Sequence, residues 1–526
     1  MTGAFTGTWV LLAHALRIDR MRLTFWVLGI AVMPITTYAT YDRLYPTVTD
    51  RVALEGVLGA NPAFSLIMGP PNAISSAGGF TAWRTLLFVT IFIGVMCILT
   101  VVRHTRTDEE AGRTELLSAQ CVGRYAFLTA ALSTAAIASV ATGAVIALGL
   151  MLFGSSVAGA LASAVAVTLG GYVFAGVAVV AAQMVSFGRT AISISIGILG
   201  LDYLVRAWGD AGSMPWMTWS ASLGWTEHIQ AYSHPVWWTL ILPTTACVVL
   251  ITAGCVVRAH RDLGRGILAA HHGPATASRA LSGTFGLSWR LHRARVMSWV
   301  SGLTIYGLIV GSIVTSISAL IARAPIGALF KGSGVNPDEL FVAQAIGLMG
   351  IVASIYGIQA MLCARTEETD GRVELLLSNP LSRTRWFASH LVIALIGSAL
   401  VIIGGGLGTG VSAQIAGAHV TVQGTVGAAC LQIPAIWTLI GVTALLVGVV
   451  PRASILGWAL VTASFMVSFF GPLLQLPRLV IDLSVFTHVP RMPGGTVTAA
   501  PLIIMSVIAL VAIGVGIVGI RRRALS

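Results

Sequence analysis

Residues 85–117 read TLLFVTIFIGVMCILTVVRHTRTDEEAGRTELL. Thr85–Val102 is an uncharged run of about the length that carries an α-helix across a bilayer. The chain then turns abruptly to charge and closes on two leucines. Its last twelve residues, Arg106–Leu117 (RTDEEAGRTELL), align without a gap on Arg365–Leu376 (RTEETDGRVELL), 259 positions later. The same offset pairs Arg124 with Arg383, and similar offsets pair Trp26-x-x-Gly29 with Trp299-x-x-Gly302 and Arg189 with Arg452. So long a period, with apolar runs around each copy, describes two halves fused head to tail.

The surrounding sequence has the same character. Of 526 residues, 56% are apolar and only 10% charged, and the mean hydropathy is +0.88. That is too little charge for a water-soluble surface. Uncharged runs of about 20 residues recur, Phe127–Gly154 and Pro501–Ile520 among them. Hydrocarbon offers the backbone no partners, so such runs must be helices, and the alternation of a β-barrel is absent. The reading expects an all-α polytopic membrane protein with about twelve transmembrane helices. They fall near 23–41, 84–102, 126–154, 158–186, 190–208 and 237–257, then 296–322, 341–363, 386–415, 421–450, 454–474 and 500–520. Two tandem six-helix halves follow, 1–258 and 296–526, with a charged loop near 103–125 in the first and near 364–385 in the second. Residues 259–295 read as a cytoplasmic linker. Six is even, so both halves face the same way, and a pseudo-twofold along the membrane normal relates them.

A formal charge of +12 raises nucleic acid as a partner, but its placement argues against one. The arginines form short clusters between apolar runs, and Lys331 is the only lysine. Counting Arg17, Arg20, Arg22 and the clusters after alternate spans, 23 of the 31 basic residues fall on one side. That bias places both termini in the cytoplasm of a multi-pass protein of the inner (plasma) membrane. The first apolar run passes into Tyr38–Tyr45 without a small-residue cleavage pattern, so it is expected to stay as a span. The six cysteines form no CxxC pair and read as small packing residues, without the spacing of a disulfide framework or zinc site. Trp9, Leu12, Ala13 and Leu16 recur at helical spacing, with Arg17 and Arg20 on the polar side. Leu287–Arg295 (LSWRLHRAR) repeats the idea. Each suits an elbow helix in the membrane plane, or for the second, an extension of the span that follows.

The duplicated loop is where chemistry concentrates. Charge followed by exposed leucine is what a short docking helix needs: the leucines fill a partner's groove, while Glu and Arg set register. Gly112 and Gly371 allow a bend between span and docking helix. The pattern Glu-x-x-Gly-Arg-x-Glu-Leu-Leu after a second span resembles the coupling loop of ABC-2-type permeases. The twelve-helix fused form is similar to the polyketide-antibiotic (tetronasin-type) exporter permeases. Arg261-Asp262-Leu-Gly264-Arg265-Gly266 and Phe486-Thr-His-Val-Pro490 fit that branch. The resemblance implies ATPase-coupling roles for Arg106, Glu109, Gly112, Arg113, Glu115, Leu116 and Leu117. In the second half it implies them for Arg365, Glu368, Gly371, Arg372, Glu374, Leu375 and Leu376. It further implies two ABC ATPase subunits per chain, with ATP and magnesium on those subunits and no cofactor on this chain. The cargo it implies is a hydrophobic or amphiphilic small molecule moved outward. The halves differ at Cys121, where the second loop has Pro380, which leaves open whether both loops couple equally.

The chain lacks its own motor. A P-loop needs Gly-x-x-x-x-Gly-Lys-Ser/Thr, and Lys331 sits in Phe-Lys-Gly-Ser-Gly without that spacing. Leu281-Ser-Gly-Thr only echoes an ABC signature. Catalytic and metal residues are therefore not expected. Asp202 and Arg206, four apart in the fifth span, share a helix face and suit either a self-satisfied ion pair or a polar element of the substrate path. Gln183, Gln344, Gln359 and Gln432 read as glue between helices, Gly404–Gly410 as a close-packing or flexible point, and Trp216, Trp219, Trp225, Trp237 and Trp238 as an interfacial belt. An ion-coupled secondary transporter would need acidic residues at the midplane, where only Asp202 offers itself. A membrane-embedded enzyme would need clustered His, Asp or Glu at a membrane face.

Overall fold

The computed structural model describes residues 3–523 except 61–64, 66, 119–121, 211–213, 261–265, 269–275, 277, 279–280, 282, 324–335, 379, 471–476 and 496. Cys121, Arg261, Asp262, Gly264, Arg265, Ser282 and Lys331 thus lie outside the described residues. No strand occurs among those described. The chain divides into two units, Met1–Gly273 and Pro274–Ser526, with the division inside the 259–295 segment.

In the first unit, α1 (Thr8–Leu44) is followed by α2 (Val48–Ala60), α3 (Ala77–Val102), α4 (Arg113–Ser118), α5 (Ala126–Leu152) and α6 (Val157–Met184). Then come α7 (Gly188–Asp210), α8 (Pro215–Ser220), α9 (Ser222–His228) and α10 (Ile241–Ala259). The second unit holds α11 (Thr284–Arg323), α12 (Pro337–Thr369), α13 (Arg372–Leu377), α14 (Arg383–Ile415), α15 (Val422–Leu431), α16 (Ile433–Val449), α17 (Leu456–Phe470) and α18 (Ala499–Arg522). Helix starts are marked by hydroxyl or amide caps that satisfy otherwise orphaned N–H groups. Ser76 accepts from Gly79 N at 3.0 Å, Ser382 from Arg385 N at 3.3 Å and Thr421 from Gly424 N at 3.1 Å.

Eleven helices among the described residues are long and apolar enough to cross a membrane, counting α15 and α16 together. The chain is a multi-pass membrane protein. The span expected at 454–474 is represented by α17, whose 15 residues end against residues outside the described set. The first elbow is corrected, and the second follows its alternative reading as an extension of the span. Each is continuous with the span that follows, within a single helix of 37 residues in α1 and 40 in α11. At 1.5 Å per residue these reach roughly 55–60 Å, about twice the hydrocarbon thickness, so their first turns stand beyond it.

In the first unit the core is built around α3 and α6, where Val89, Ile93 and Met96 pack against the cluster that includes Val167 and Phe174. In the second it is built around α12, α14 and α16, with Met349, Tyr356, Phe387, Val401 and Ile440. Small residues set the helix spacing, since lipid is as apolar as leucine and gives helices no hydrophobic reason to pair. The glycine run of α14 is a close-packing seam. A Cβ at Gly408 would run into the Thr304 carbonyl of α11, and one at Gly406 would sit 2.7 Å from Ala429 Cβ of α15. The second span of each unit, α3 and α12, is largely buried and carries the duplicated loop at its end.

Candidate functional site

In the first unit, α3 runs on through one turn of π-helix, Arg103–Thr107, and a short helical turn at Asp108–Glu110. The chain bends at Gly112, φ 72°, and enters α4. In the second, α12 runs straight to Thr369, bends at Gly371, φ 71°, and enters α13. Both glycines sit in the left-handed region that a Cβ disfavours, and so provide the expected bend. Among the described side chains, each six-residue helix buries one, Thr114 in α4 and Val373 in α13. The anchors leave Leu117 41% exposed and Leu375 74% exposed, with Glu115, Glu374, Arg113 and Arg372 exposed around them. Leu376 is half-buried, while the side chain of Leu116 lies outside the described set.

On the span side of each bend, charge is internal. Arg106 is buried, with Nη1 2.9 Å from Glu109 Oε2, and Arg365 makes the equivalent bond to Glu368 at 3.0 Å. Glu110 Oε2 accepts from the Gly188 amide at the start of α7, 3.0 Å away. Glu368 is instead gripped by Arg523 at the end of α18, two parallel N–H···O bonds of 2.6 and 2.7 Å. Arg124 donates to the carbonyls of Arg258 and Ala259 at the end of α10, and its repeat partner Arg383 to that of Arg523. The pairing of these two arginines thus has a shared purpose, which is to hold the last helix of each unit.

A second tie joins the start of the first helix to the duplicated loop. Asp19 of α1, 2% exposed, lies 2.8 Å from His104 Nε2, 3.3 Å from Arg103 Nη2 and 3.8 Å from Arg22 Nη1. In the second unit His292 of α11 meets His390 of α14, Nε2 to Nδ1, at 3.1 Å, and His390 Nε2 reaches Glu367 Oε2 at 3.2 Å. Beside the first tie, a cavity of about 330 Å³ is lined by Leu11, His14, Ile18, Arg103, Arg113 and Phe127.

At the opposite end of the first unit, Asp202 and Arg206 take separate partners. Asp202 caps α9, accepting from Ser222 N at 2.8 Å, Leu223 N at 2.9 Å and Ser222 Oγ at 3.1 Å. Arg206 is fully buried, with Nη1 2.6 Å from Glu227 Oε1 and 3.2 Å from Asp210 Oδ2, while Nη2 donates to the Ile67 carbonyl at 3.2 Å. One guanidinium thus faces two carboxylates. Burial pushes Glu227 up to about 8, Asp210 adds to the rise and Arg206 opposes it. Glu227 also lines a small cavity of about 50 Å³ with Trp83, Leu86, Leu87, Tyr232 and Gly69. Sequence reading missed Glu227, because it comes from a short helix between two spans and nothing near it in the chain signals a partner. Asp210, in contrast, stood four residues from Arg206 and was available to the same spacing rule.

The remaining polar residues behave structurally. Trp299 Nε1 donates to Gln359 Oε1 at 3.2 Å, one of the expected interhelical bonds. Trp216, Trp237 and Trp238 are exposed, and Trp219 stacks on Trp238 with centroids 5.5 Å apart. Phe486 is buried in the core of the second unit, on a 3₁₀ turn at Val485–His488.

Comparison with known proteins agrees with this architecture. Residues 281–521 match a family model described as multidrug efflux system permease Rv1217c, C-terminal domain. The multidrug efflux system permease protein Rv1217c of Mycobacterium tuberculosis (strain ATCC 25618 / H37Rv) is 38% identical over 529 residues, covering 99% of this chain and 95% of that protein. With that identity along its whole length, the chain belongs to the Rv1217c family of multidrug efflux permeases.

Proposed function

We propose that this chain is the membrane-spanning permease of an ABC-2-type exporter of the polyketide-antibiotic branch, driven by two separate ABC ATPase subunits. It moves amphiphilic drugs, antibiotics or lipid-like molecules out through the plasma membrane, with both termini and both duplicated loops in the cytoplasm and the halves related by a pseudo-twofold. The observation that carries this reading is the repeated construction of the loops. Each follows a buried second span, bends at a left-handed glycine and presents a short helix with a buried anchor and an exposed leucine. ATP and magnesium belong to the partner subunits, and α4 and α13 press into a groove on each of them. The kinship with a multidrug efflux permease supports the drug-export part of the reading. Co-purification with an ABC ATPase, and export of a fluorescent amphiphile from cells that stops when ATP is depleted, test it. Purified permease that hydrolyses ATP alone would contradict it.

A second reading, proton-coupled export, draws on one observation, the carboxyl pair Glu227 and Asp210 around a single buried arginine. The two readings separate cleanly. Collapsing the proton gradient at constant ATP stops a proton-coupled exporter and spares an ATP-driven one.

A further inference from the structure

We propose that His292, Cys363 and His390 form a seat for a borderline-soft divalent cation, zinc above all, which pins the start of α11 to the end of α12 and the start of α14. One ligand atom from each of the three residues lies within 4.8 Å of the others. His292 and His390 are buried, and the half-buried Cys363 is the member nearest to access. Around a tetrahedral zinc, bonds of about 2.05 Å to nitrogen and 2.3 Å to sulfur place nitrogens about 3.3 Å apart and nitrogen and sulfur about 3.6 Å apart. His292 Nε2 and His390 Nδ1 already stand at 3.1 Å. With the three ligand atoms within 4.8 Å of one another, closing on an ion asks for a side-chain adjustment on the order of 1 Å.

Hydrogen bonding fixes which nitrogens point inward. Glu367 Oε2 lies 3.2 Å from both Trp386 Nε1 and His390 Nε2. A carboxylate only accepts, so His390 carries its proton on Nε2 and turns the Nδ1 lone pair to His292. That carboxylate–imidazole arrangement is the one that orients metal-bound histidines. Without a cation, the His292 Nε2–H donates to that lone pair, and Arg295 Nη1 donates to His292 Nδ1 across 3.4 Å. On binding, the His292 proton moves from Nε2 to Nδ1; the bond to His390 is exchanged for the shared ion, and the long contact with Arg295 is lost. Cys363 releases its proton to solvent, so one proton leaves per ion bound. Two imidazoles and a thiolate suit zinc, cobalt or nickel and exclude magnesium and calcium.

The repeat supplies an independent reason. By the Trp26–Trp299 offset His292 occupies the place of Asp19, and by the loop offset Cys363 occupies that of His104. In the first unit those two positions are drawn together by opposite charge, Asp19 against His104, Arg103 and Arg22. In the second unit the same place holds a neutral imidazole and a thiol, and His390 is added where the first unit has Ala131. A cation restores the attraction that the substitution removes.

The test uses the full-length permease with a tag free of histidine, titrated in detergent with cobalt and with zinc. The expected result is one ion per chain, released by chelator, with a near-ultraviolet thiolate-to-cobalt band. Cys363→Ser should abolish that band while the protein remains monodisperse. His292→Gln should weaken zinc binding at least 100-fold, and Glu367→Gln, which touches no ion, about 10- to 100-fold. A wild type with no thiolate band, or variants that take up the ion as the wild type does, would overturn the proposal.

Discussion

Leu375→Ser separates a docking role from a folding one. Leu375 is 74% exposed on α13, whereas Val373, two residues earlier, is 2% exposed. Removing a leucine that already faces outward changes stability by about 0.5 kcal/mol or less. If the leucine fills a groove on an ATPase subunit, truncation costs about 2 kcal/mol. At about 1.4 kcal/mol per decade, that is roughly a 30-fold rise in Kd. Val373→Ala should behave in the opposite way. It removes two buried methyl equivalents, about 1.6 kcal/mol at 0.8 each, and loosens α13 itself. The assay pairs thermal unfolding of the purified permease with titration of the ABC ATPase that co-purifies with it. Leu375→Ser should keep the wild-type Tm and bind weakly, and Val373→Ala should lose Tm. Wild-type Kd and wild-type export in Leu375→Ser would refute the coupling role of α13.

Four further outcomes follow from the geometry. Glu227 holds a proton in the folded state over the window from about 4.5 to about 8, so stability is greatest below it and falls as pH rises, by at most about 1.4 kcal/mol per pH unit. Glu227→Gln should flatten Tm against pH across that window, and a wild-type Tm that climbs with pH would contradict the assignment. Arg206→Leu strands two carboxylates and should cost about 3–5 kcal/mol. The exchange Asp202→Arg with Arg206→Asp should express no better than Arg206→Asp alone, because the two residues serve different partners. Gly408→Ala meets the Thr304 carbonyl and should lower Tm by several degrees, while Gly427→Ala, with open space around its Cβ, should leave Tm unchanged.

What was legible in the sequence follows from the range of the forces involved. Membrane spans show through because hydrocarbon demands an apolar run from every one of them, as Thr85–Val102 and Pro501–Ile520 illustrate. The bends at Gly112 and Gly371 were legible because only glycine takes that backbone shape cheaply, and their φ values of 72° and 71° agree. The elbows were harder. Amphipathic spacing at Trp9–Leu16 describes a helix with a wet and a greasy face, but it does not say whether the helix breaks before the span. The structure runs α1 unbroken through that point. The charge pairs around Arg206 were illegible for a different reason. Four-residue spacing names two partners, Asp202 and Asp210, and the choice between them was made by α9, whose N–H groups claimed Asp202. The histidine and cysteine cluster comes from three helices separated by some 98 residues at its widest, and a spacing rule for local ligand pairs has no purchase on it.

The two units meet one mechanical demand with unequal chemistry. Under the proposed function, a push on α4 or α13 reaches the membrane only across a glycine bend, which transmits force poorly unless the segment above it is braced. Both braces lie on the span side of the bend, and each reaches a different part of the fold. Glu110 holds the first residue of α7 through one backbone amide at 3.0 Å. Glu368 holds the last turn of α18 through a bidentate guanidinium pair, with Arg365 on its other flank. Two charge-assisted bonds in a fixed fork resist displacement more than a single bond from a neutral amide. The second loop is therefore coupled stiffly to the final helix of its unit. The first is coupled more loosely to α7, the helix that carries Asp202, Arg206 and Asp210 at its far end. Displacement of the first loop is thus delivered to a span whose opposite end holds a buried charge cluster beside a cavity. The second loop has no such cluster to act on among the described residues, since Phe465 stands where the first unit has Asp202. Equal nucleotide turnover at two identical ATPase subunits would then act unequally on the two units. Such a division of labour is open to a fused chain, in which each half can vary alone, and closed to a symmetric pair of identical half-permeases.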